Sequence, residues 1–496
     1  VLLYCLFPIF MMGALSLLRP AYRPKFFLVG TPAFSIALAR GMLTSWDLAA
    51  GDRKPASGIR YLASGLWAVA CSLFVMAASA YSLGNYYFDG RYARDDYRGI
   101  THYIESHENE GDAILLNASG QKDVFSYYYR GRSPLYPLPR ERPLNEAQTR
   151  HDLETIAVAH DRVFALFWAT DESDPNRFIE SWLDGQAYKA MDSWYGTVRL
   201  VVYALPQEPS PMEIQHPLRT VLGERARLLG YNLLTEEVRA GDILQLTLFW
   251  EALAPFEERC AVFIHVLDEE DHIVGQRDTE PGGGATVTTV WQVGQVLVDN
   301  YGVLIRPGTP PGRYRIEVGM YSLDSGRRLL VSQGEGAGED RVLLEPIRVL
   351  RSQRPPAAET LAMQHRDNIA YGEVTLLGYD LYEVGYEHQL GKPLYPGDAL
   401  HLNFYWQAIR RPQMDWRLSL QLVNEEGHTW AAQEGWPAGQ GYPTTLWQSG
   451  EVVQGQHDIL IPAEAPSGRY YLRGQLTSPQ GEALQPLWRS EPFAVK

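Results

Sequence analysis

Cysteine is scarce in this chain, three in 496 residues, too few for a disulfide framework and in no CxxC or zinc-type spacing. Cys5 and Cys71 lie in apolar stretches and Cys260 in an expected strand. The sequence has no GxGxxG and no Walker-type loop, so a nucleotide role has no support and no cofactor is expected. Basic residues are also short, 44 Lys and Arg against 59 Asp and Glu. The first 94 residues hold a surplus of six positive charges, so a formal net charge of −15 leaves about −21 on the rest. A balance that acidic favours solubility and argues against nucleic acid as a partner.

Long uncharged runs are present, and they are confined to the start. Residues 1–18 and 61–81 carry no charge, and residues 26–43 only Arg40. Each is long enough for a helix of about 20 residues across a bilayer core. They are read as three transmembrane helices, with Arg40 snorkelling to a headgroup layer. The start has no basic leader or cleavage pattern, so the chain is expected to begin mid-protein. The flanking loops are nearly balanced in Arg and Lys; placing Arg53, Lys54 and Arg60 inside puts residues after about 85 on the extracytoplasmic side. It also leaves Arg19, Arg23 and Lys25 outside, where an anionic partner such as a lipid phosphate would meet them.

The fold class that follows is multidomain: an α-helical transmembrane segment (1–90), a small α/β domain (91–206), and two tandem antiparallel β-sandwich, Ig-like, domains (217–350 and 365–496). In the α/β part, Asp95 or Asp96 caps a helix with Tyr97, Ile100 and Ile104 on one face. Gly111-Asp112 then breaks into the apolar run 113–116. Two further helix-to-strand passages, 144–169 and 175–204, imply a partly parallel sheet.

Beyond a linker near 207–217 the chain repeats itself at about 156 residues. Leu228-Leu229-Gly230-Tyr231 returns as Leu376-Leu377-Gly378-Tyr379, Thr288-Thr289-Val290-Trp291 as Thr444-Thr445-Leu446-Trp447, and Gly312-Arg313-Tyr314 as Gly468-Arg469-Tyr470. Such a period means duplication of a whole domain, since solenoid units are much shorter. In each copy, alternation ending in Trp250 or Trp406 puts one strand face in a core, and turn signals separate further short strands.

The repeat also tests single residues. His265 invites a catalytic or metal-binding reading, but its counterpart is Gln421 on the same outward face. The acidic run 268–271 lacks the spacing and glycine of a calcium loop, and its counterpart Asn424-Glu425-Glu426-Gly427 reads as a hairpin turn. No metal site is expected. Trp291 and Trp447, with Trp416, Trp430 and Trp436, are candidates for a glycan-stacking platform, against the alternative of closing a sheet corner. Asp95 and Asp96 are better read as helix caps than as a catalytic pair.

The stretch Leu17-Leu18-Arg19-Pro20-Ala21-Tyr22-Arg23-Pro24-Lys25, followed by Gly30-Thr31-Pro32, then Tyr86-Tyr87, Asp96-Tyr97-Arg98 and Gly111-Asp112-Ala113, resembles the late segment of family 39 glycosyltransferases, the protein-mannosyltransferase and aminoarabinose-transferase type. The resemblance implies sugar transfer from a polyprenyl-phosphate donor at the outer face of a membrane, with a carboxylate base and cations on the donor phosphate. Arg23 and Lys25 match the family's basic element as lipid-phosphate contacts. The family's base lies in a loop that has no counterpart here, so no catalytic residue is carried over, and this chain alone is expected to be inactive. The alternative is a membrane-anchored surface protein whose sandwiches bind a glycan or protein without catalysis; an accessory subunit of a polymer-assembly system is a third reading.

Overall fold

The structure is a computed structural model. It describes residues 95–207, 213–284, 286–384, 394–439 and 441–496, with residues 36, 39–40, 73, 76–77, 79–85 and 87 before them. Residues 1–94 and 95–496 form two compact units. In the first, every described residue is helical. The expected spans 1–18, 26–43 and 61–81 lie mostly outside the described residues, as do Arg23, Lys25, Cys5 and Cys71.

The structure does not support the expected α-helical transmembrane segment (1–90). Among the described residues no helix is long and apolar enough to cross a membrane, and strands dominate. The helices of the second unit reach 14 residues, a rise of about 21 Å against an apolar layer of roughly 30 Å.

The second unit opens with a three-layer α/β structure. Helix α1 (Tyr97–His107) leads to β1 (Asp112–Asn117), α2 (Lys122–Tyr128) to β2 (Leu135–Leu138), and α3 (Glu146–Ala159) to β3 (Arg162–Phe167). A short α4 (Thr170–Ser173) and α5 (Phe178–Gln186) precede the hairpin β4 (Tyr188–Tyr195) and β5 (Val198–Ala204). Strands β2, β1 and β3 are parallel, and β5 joins β3 antiparallel. Alternation along the buried strands divides two cores. Ile114, Leu116, Phe164 and Leu166 meet Ile100, Ile104 and Phe125 on one face; Ala113, Leu115, Val163 and Ala165 meet Leu153, Ile156, Ile179 and Leu183 on the other. Asp96 caps α1, its Oδ1 accepting from the Gly99 amide at 2.8 Å. Asp95 instead holds the β4–β5 turn, accepting from Thr197 N at 2.9 Å and Oγ1 at 2.6 Å.

The first sandwich comprises β6 (His216–Leu222), β7 (Ala226–Leu233), β8 (Glu237–Arg239), β9 (Ile243–Ala252), β10 (Cys260–Leu267), β11 (Ile273–Thr279), β12 (Val296–Leu304), β13 (Gly312–Ser322), β14 (Val331–Gln333) and β15 (Val342–Leu350). The second comprises β16 (His365–Tyr371), β17 (Val374–Glu383), β18 (Ala399–Ala408), β19 (Arg417–Asn424), β20 (Thr429–Gly435), β21 (Val452–Leu460), β22 (Gly468–Thr477), β23 (Trp488–Arg489) and β24 (Phe493–Val495). Sheet β14-β6-β7-β9-β12 faces β11-β10-β13-β15-β8 in the first copy. In the second, β16-β17-β18-β21 faces β20-β19-β22, with β23 and β24 both on β22.

The repeated residues fasten these sheets. Tyr314 and Tyr470 each donate to a proline carbonyl four residues earlier, at 2.7 Å. Tyr231 and Tyr379 accept the amides of Glu345 and Glu491 across the sandwich, at 3.0 and 2.9 Å. Thr288 Oγ1 accepts from Cys260 N, and Thr444 Oγ1 from Trp416 N, both at 2.9 Å. Landmarks visible as sequence repeats are thus corner and cross-sheet ties, which a β-sandwich needs to hold its register.

Each sandwich has one edge strand covered by what precedes it. Beside β9, strand β12 meets β4 of the α/β layer through the parallel pair Tyr301↔Lys189, which fuses ten strands into one sheet. Its counterpart β21 is met by the first sandwich, with Gln454 N donating to Gly308 O at 2.8 Å and Gln454 Nε2 to Pro307 O at 2.8 Å. Gly302 makes the first approach possible, since a Cβ there would lie 2.7 Å from Tyr188 O. Gly302→Val should therefore lower stability by about 1–3 kcal/mol, read as a shift in the urea midpoint; an unchanged midpoint would contradict this close fit.

Candidate functional site

Buried ionisable groups gather at these two seams. At the first, Lys189 of β4 lies 2.7 Å from Asp184 Oδ1 and 3.7 Å from Glu180 Oε1 of α5. Arg199 of β5 bridges Glu180, at 2.6 Å, and Asp192. Tyr203 donates to Asp184 at 2.8 Å. From the sandwich side, Asp299 of β12 accepts from Gly282 N at 3.0 Å and from the Tyr301 hydroxyl. Burial raises the Asp299 carboxyl to about 6 against those hydrogen bonds, and burial lowers the Arg277 guanidinium from its ordinary value. Most of these charges are paired, as buried charges must be.

Beside this network opens a cleft of about 630 Å³ between the α/β layer and the first sandwich. Asp112, Asp161 and Arg162 line it from the amino ends of β1 and β3; Glu237, Arg239, Asp242 and Gln245 line it from the sandwich. Arg162 and Asp112 form a buried bidentate pair, at 3.1 and 2.5 Å. Burial raises the Asp242 carboxyl despite Arg162 and Arg239. Gln245 Oε1 is buried with no hydrogen-bond partner. The carboxyl ends of the parallel strands, where open α/β sheets usually bind ligands, are filled by side chains of the layer's own helices and connections. There Ser173 Oγ donates to Asn117 Oδ1 at 2.9 Å, and Tyr97 donates to Gln121 Oε1 at 3.0 Å.

At the second seam, His272 of the first sandwich meets His401 and Asp458 of the second. His272 Nε2 is 3.4 Å from Asp458 Oδ2, and His401 Nδ1 is 2.6 Å from Asp458 Oδ1. His272 Nδ1 sits 3.0 Å from Asp268 Oδ2, in a turn where Asp268 Oδ1 also accepts the His272 amide at 2.9 Å. Burial works against charge on His272, but Asp268 and Asp458 outweigh it and hold its pKa up at about 10. Asp458 is desolvated yet kept well below the usual carboxylate range by the two imidazoles. The neighbouring His457 is buried against Pro437 O, and desolvation lowers its pKa to about 4.

The residues singled out from sequence fall elsewhere. Trp291 and Trp447 are buried in the two cores. Their Nε1 atoms donate to carbonyls five residues earlier, Thr286 O at 2.9 Å and Tyr442 O at 3.3 Å. A stacking platform needs an open ring face, and neither offers one; both close sheet corners. Trp416 is buried as well, and Trp436 is covered by Arg417 at 4.1 Å. His265 pairs with Glu317 across β10 and β13 at 2.7 Å; the second copy pairs Gln421 with Arg473 at the same register. The run 268–271 is a turn, but it carries His272 into the second seam. His272, His401 and Asp458 were not legible as a set, because they come from different copies and far-apart strands.

No family model and no curated protein matches this chain. Among solved structures it is similar to the C-terminal domain of wzt (13% identity, 27% of this chain and 82% of that chain, TM-score 0.22). It is also similar to a Niemann-Pick type C2 protein from Japanese carpenter ant (7% identity, 24% and 89%, TM-score 0.18). A third is the Pseudomonas fluorescens alkylpurine DNA glycosylase AlkC bound to DNA containing an abasic site analog (13% identity, 25% and 30%, TM-score 0.18). At these values none carries an argument, and the resemblance to family 39 glycosyltransferases rests on sequence motifs alone.

The His265 pair generates a pH dependence. Burial opposes charge on His265, but Asp278 and Glu317 raise it from 6.5 to about 9. Its contribution is complete below 6.5 and is lost as pH rises through about 9. Glu317 is desolvated, but His265, Arg341 and Arg328 lower it from 4.5 to about 2, so its contribution is complete above 4.5 and lost as pH falls toward 2. Replacing His265 with Gln, as in the second copy, should remove part of the stability loss between pH 6.5 and 9, measured as urea midpoints of both proteins. Parallel pH curves would show that His265 contributes nothing.

Proposed function

We propose that residues 95–496 are a binding portion without catalysis of its own, which holds a polar, hydroxyl-rich ligand such as a glycan segment in the cleft between the α/β layer and the first sandwich. In this reading the portion is exported and serves a glycosyltransferase that draws sugar from a polyprenyl-phosphate donor. The carrying observation is Gln245 Oε1, a buried acceptor with no partner on the wall of a cleft of about 630 Å³. Leaving such an acceptor unmatched costs about 1–3 kcal/mol, and a donating ligand hydroxyl would recover it. Asp242 and Asp161 supply acceptors and Arg239 supplies donors, the mixed set that neighbouring hydroxyls can satisfy. The volume is that of ordinary ligand sites, roughly 300–1,000 Å³. The acidic balance and the sequence motifs support the exported transferase context.

A glycan array of bacterial surface oligosaccharides, probed with the full chain, tests this. Wild type should bind a subset, and Gln245→Ala and Asp242→Asn should each weaken binding tenfold or more while circular dichroism stays unchanged. No wild-type signal, or equal signals in all three proteins, would remove the reading.

A further inference from the structure

We infer that His272, His401 and Asp458 form a site for one divalent transition-metal ion of the zinc class, which clamps the second sandwich onto the first. The site is independent of the glycan reading, since it lies at the other seam.

The donor atoms already converge, one from each residue, all within 4.8 Å of one another. Bonds of about 2.0–2.1 Å to a tetrahedral zinc place its ligand atoms about 3.3 Å apart. His272 Nε2 and Asp458 Oδ2 stand at 3.4 Å, close to that edge. His401 Nδ1 stands 2.6 Å from the other oxygen, Asp458 Oδ1, so the carboxylate turns and His401 withdraws for one oxygen to serve both edges. Two imidazoles and one carboxylate are donors of borderline softness, suited to zinc-class ions and poorly suited to Ca²⁺ or Mg²⁺. Three protein ligands leave a fourth position for water, and the Asp458 side chain is 42% exposed, so an ion has a route in.

The surroundings are those of a ligand set. Metal-bound histidines usually give their second ring nitrogen to a carboxylate, which fixes ring and tautomer. His272 does this through Nδ1 and Asp268 Oδ2, and the turn amide bonds hold Asp268 in place. His401 is buried beside it and turns Nδ1 to Asp458, so the ion would be held through Nδ1, while Nε2 has no hydrogen-bond partner. Ring contacts to His272 at 5.3 Å and Tyr382 at 4.8 Å set the His401 plane.

The repeat gives an internal comparison. His428 occupies the place of His272 in the second copy, with the same turn, Asn424 Oδ1 accepting its amide at 2.8 Å. Yet Gln245 and Gly302 stand in the first copy where His401 and Asp458 stand in the second. The set therefore exists only where one copy docks on the next, and an ion there acts on that docking.

The test is zinc binding by the full chain, without a histidine tag and freed of metal by chelator, followed by equilibrium dialysis, metal analysis and a thermal scan. Wild type should take up one Zn²⁺ per chain, melt higher with Zn²⁺ and show no such response to Ca²⁺. His272→Gln and His401→Gln, which nearly keep side-chain volume, should bind at least tenfold more weakly, and Asp268→Asn about tenfold more weakly. His428→Gln should bind as wild type does. With Co²⁺ in place of Zn²⁺, visible d–d bands should appear in wild type and fade in the His272 and His401 variants. Absence of stoichiometric Zn²⁺ uptake by wild type would overturn the proposal without reference to any variant. Undiminished uptake in His272→Gln and His401→Gln would overturn it as well.

Discussion

The exposed edge of a β-sandwich is the constraint around which residues 95–496 are organised. A strand with neighbours on one side presents unpaired amides and carbonyls, a template for unwanted pairing. Here β12 is covered by β4 of the α/β layer and β21 by the Pro307–Gly308 turn of the first sandwich. Duplication of the module repeated the problem, and the chain meets it the same way twice, with the preceding module acting as the cover. Three successive parts are thereby held in line.

Covering an edge buries polar side chains that a lone sandwich would leave in water. Thr247 bonds Tyr188 of β4 and Asn300 of β12 at 3.0 and 2.8 Å; His401 and Tyr405 are buried beneath the first sandwich's turn and the linker that carries Leu361. Because burial leaves an unmatched polar group costly, both seams carry paired ionisable groups and shifted pKa values. Each seam also leaves buried atoms without a hydrogen-bond partner, among them Gln245 Oε1 and Arg277 Nε at the first and His401 Nε2 and Asn403 Oδ1 at the second.

Strand alternation exposed the core faces of β9 and β18 in the sequence, and the repeated Thr-Thr-x-Trp and Gly-Arg-Tyr segments located the corners. The same alternation misleads on the other face. Gln245, Thr247, His401 and Asn403 follow a pattern that means solvent in an isolated sheet, yet Thr247, His401 and Asn403 are buried and Gln245 half-buried where the modules dock. The tryptophans misled for a related reason. An aromatic recurring in a turn fits either a ligand platform or a corner, and the hydrogen bonds from Trp291 and Trp447 to their own loops, invisible in sequence, decide for the corner. His272 had a faint signal, its recurrence as His428, but nothing in sequence joins it to partners more than a hundred residues away. The apolar runs before residue 94 gave the strongest sequence signal, and the described residues contain no helix to match a membrane-crossing reading.

Native-state hydrogen exchange at β21 addresses the covering of edges most directly. The Gln454 amide, donated to Gly308 O across the seam, should exchange as slowly as interior amides of β18 and lose that protection together with the first sandwich. Exchange of Gln454 at the rate of an open edge strand, with β18 still protected, would contradict the account.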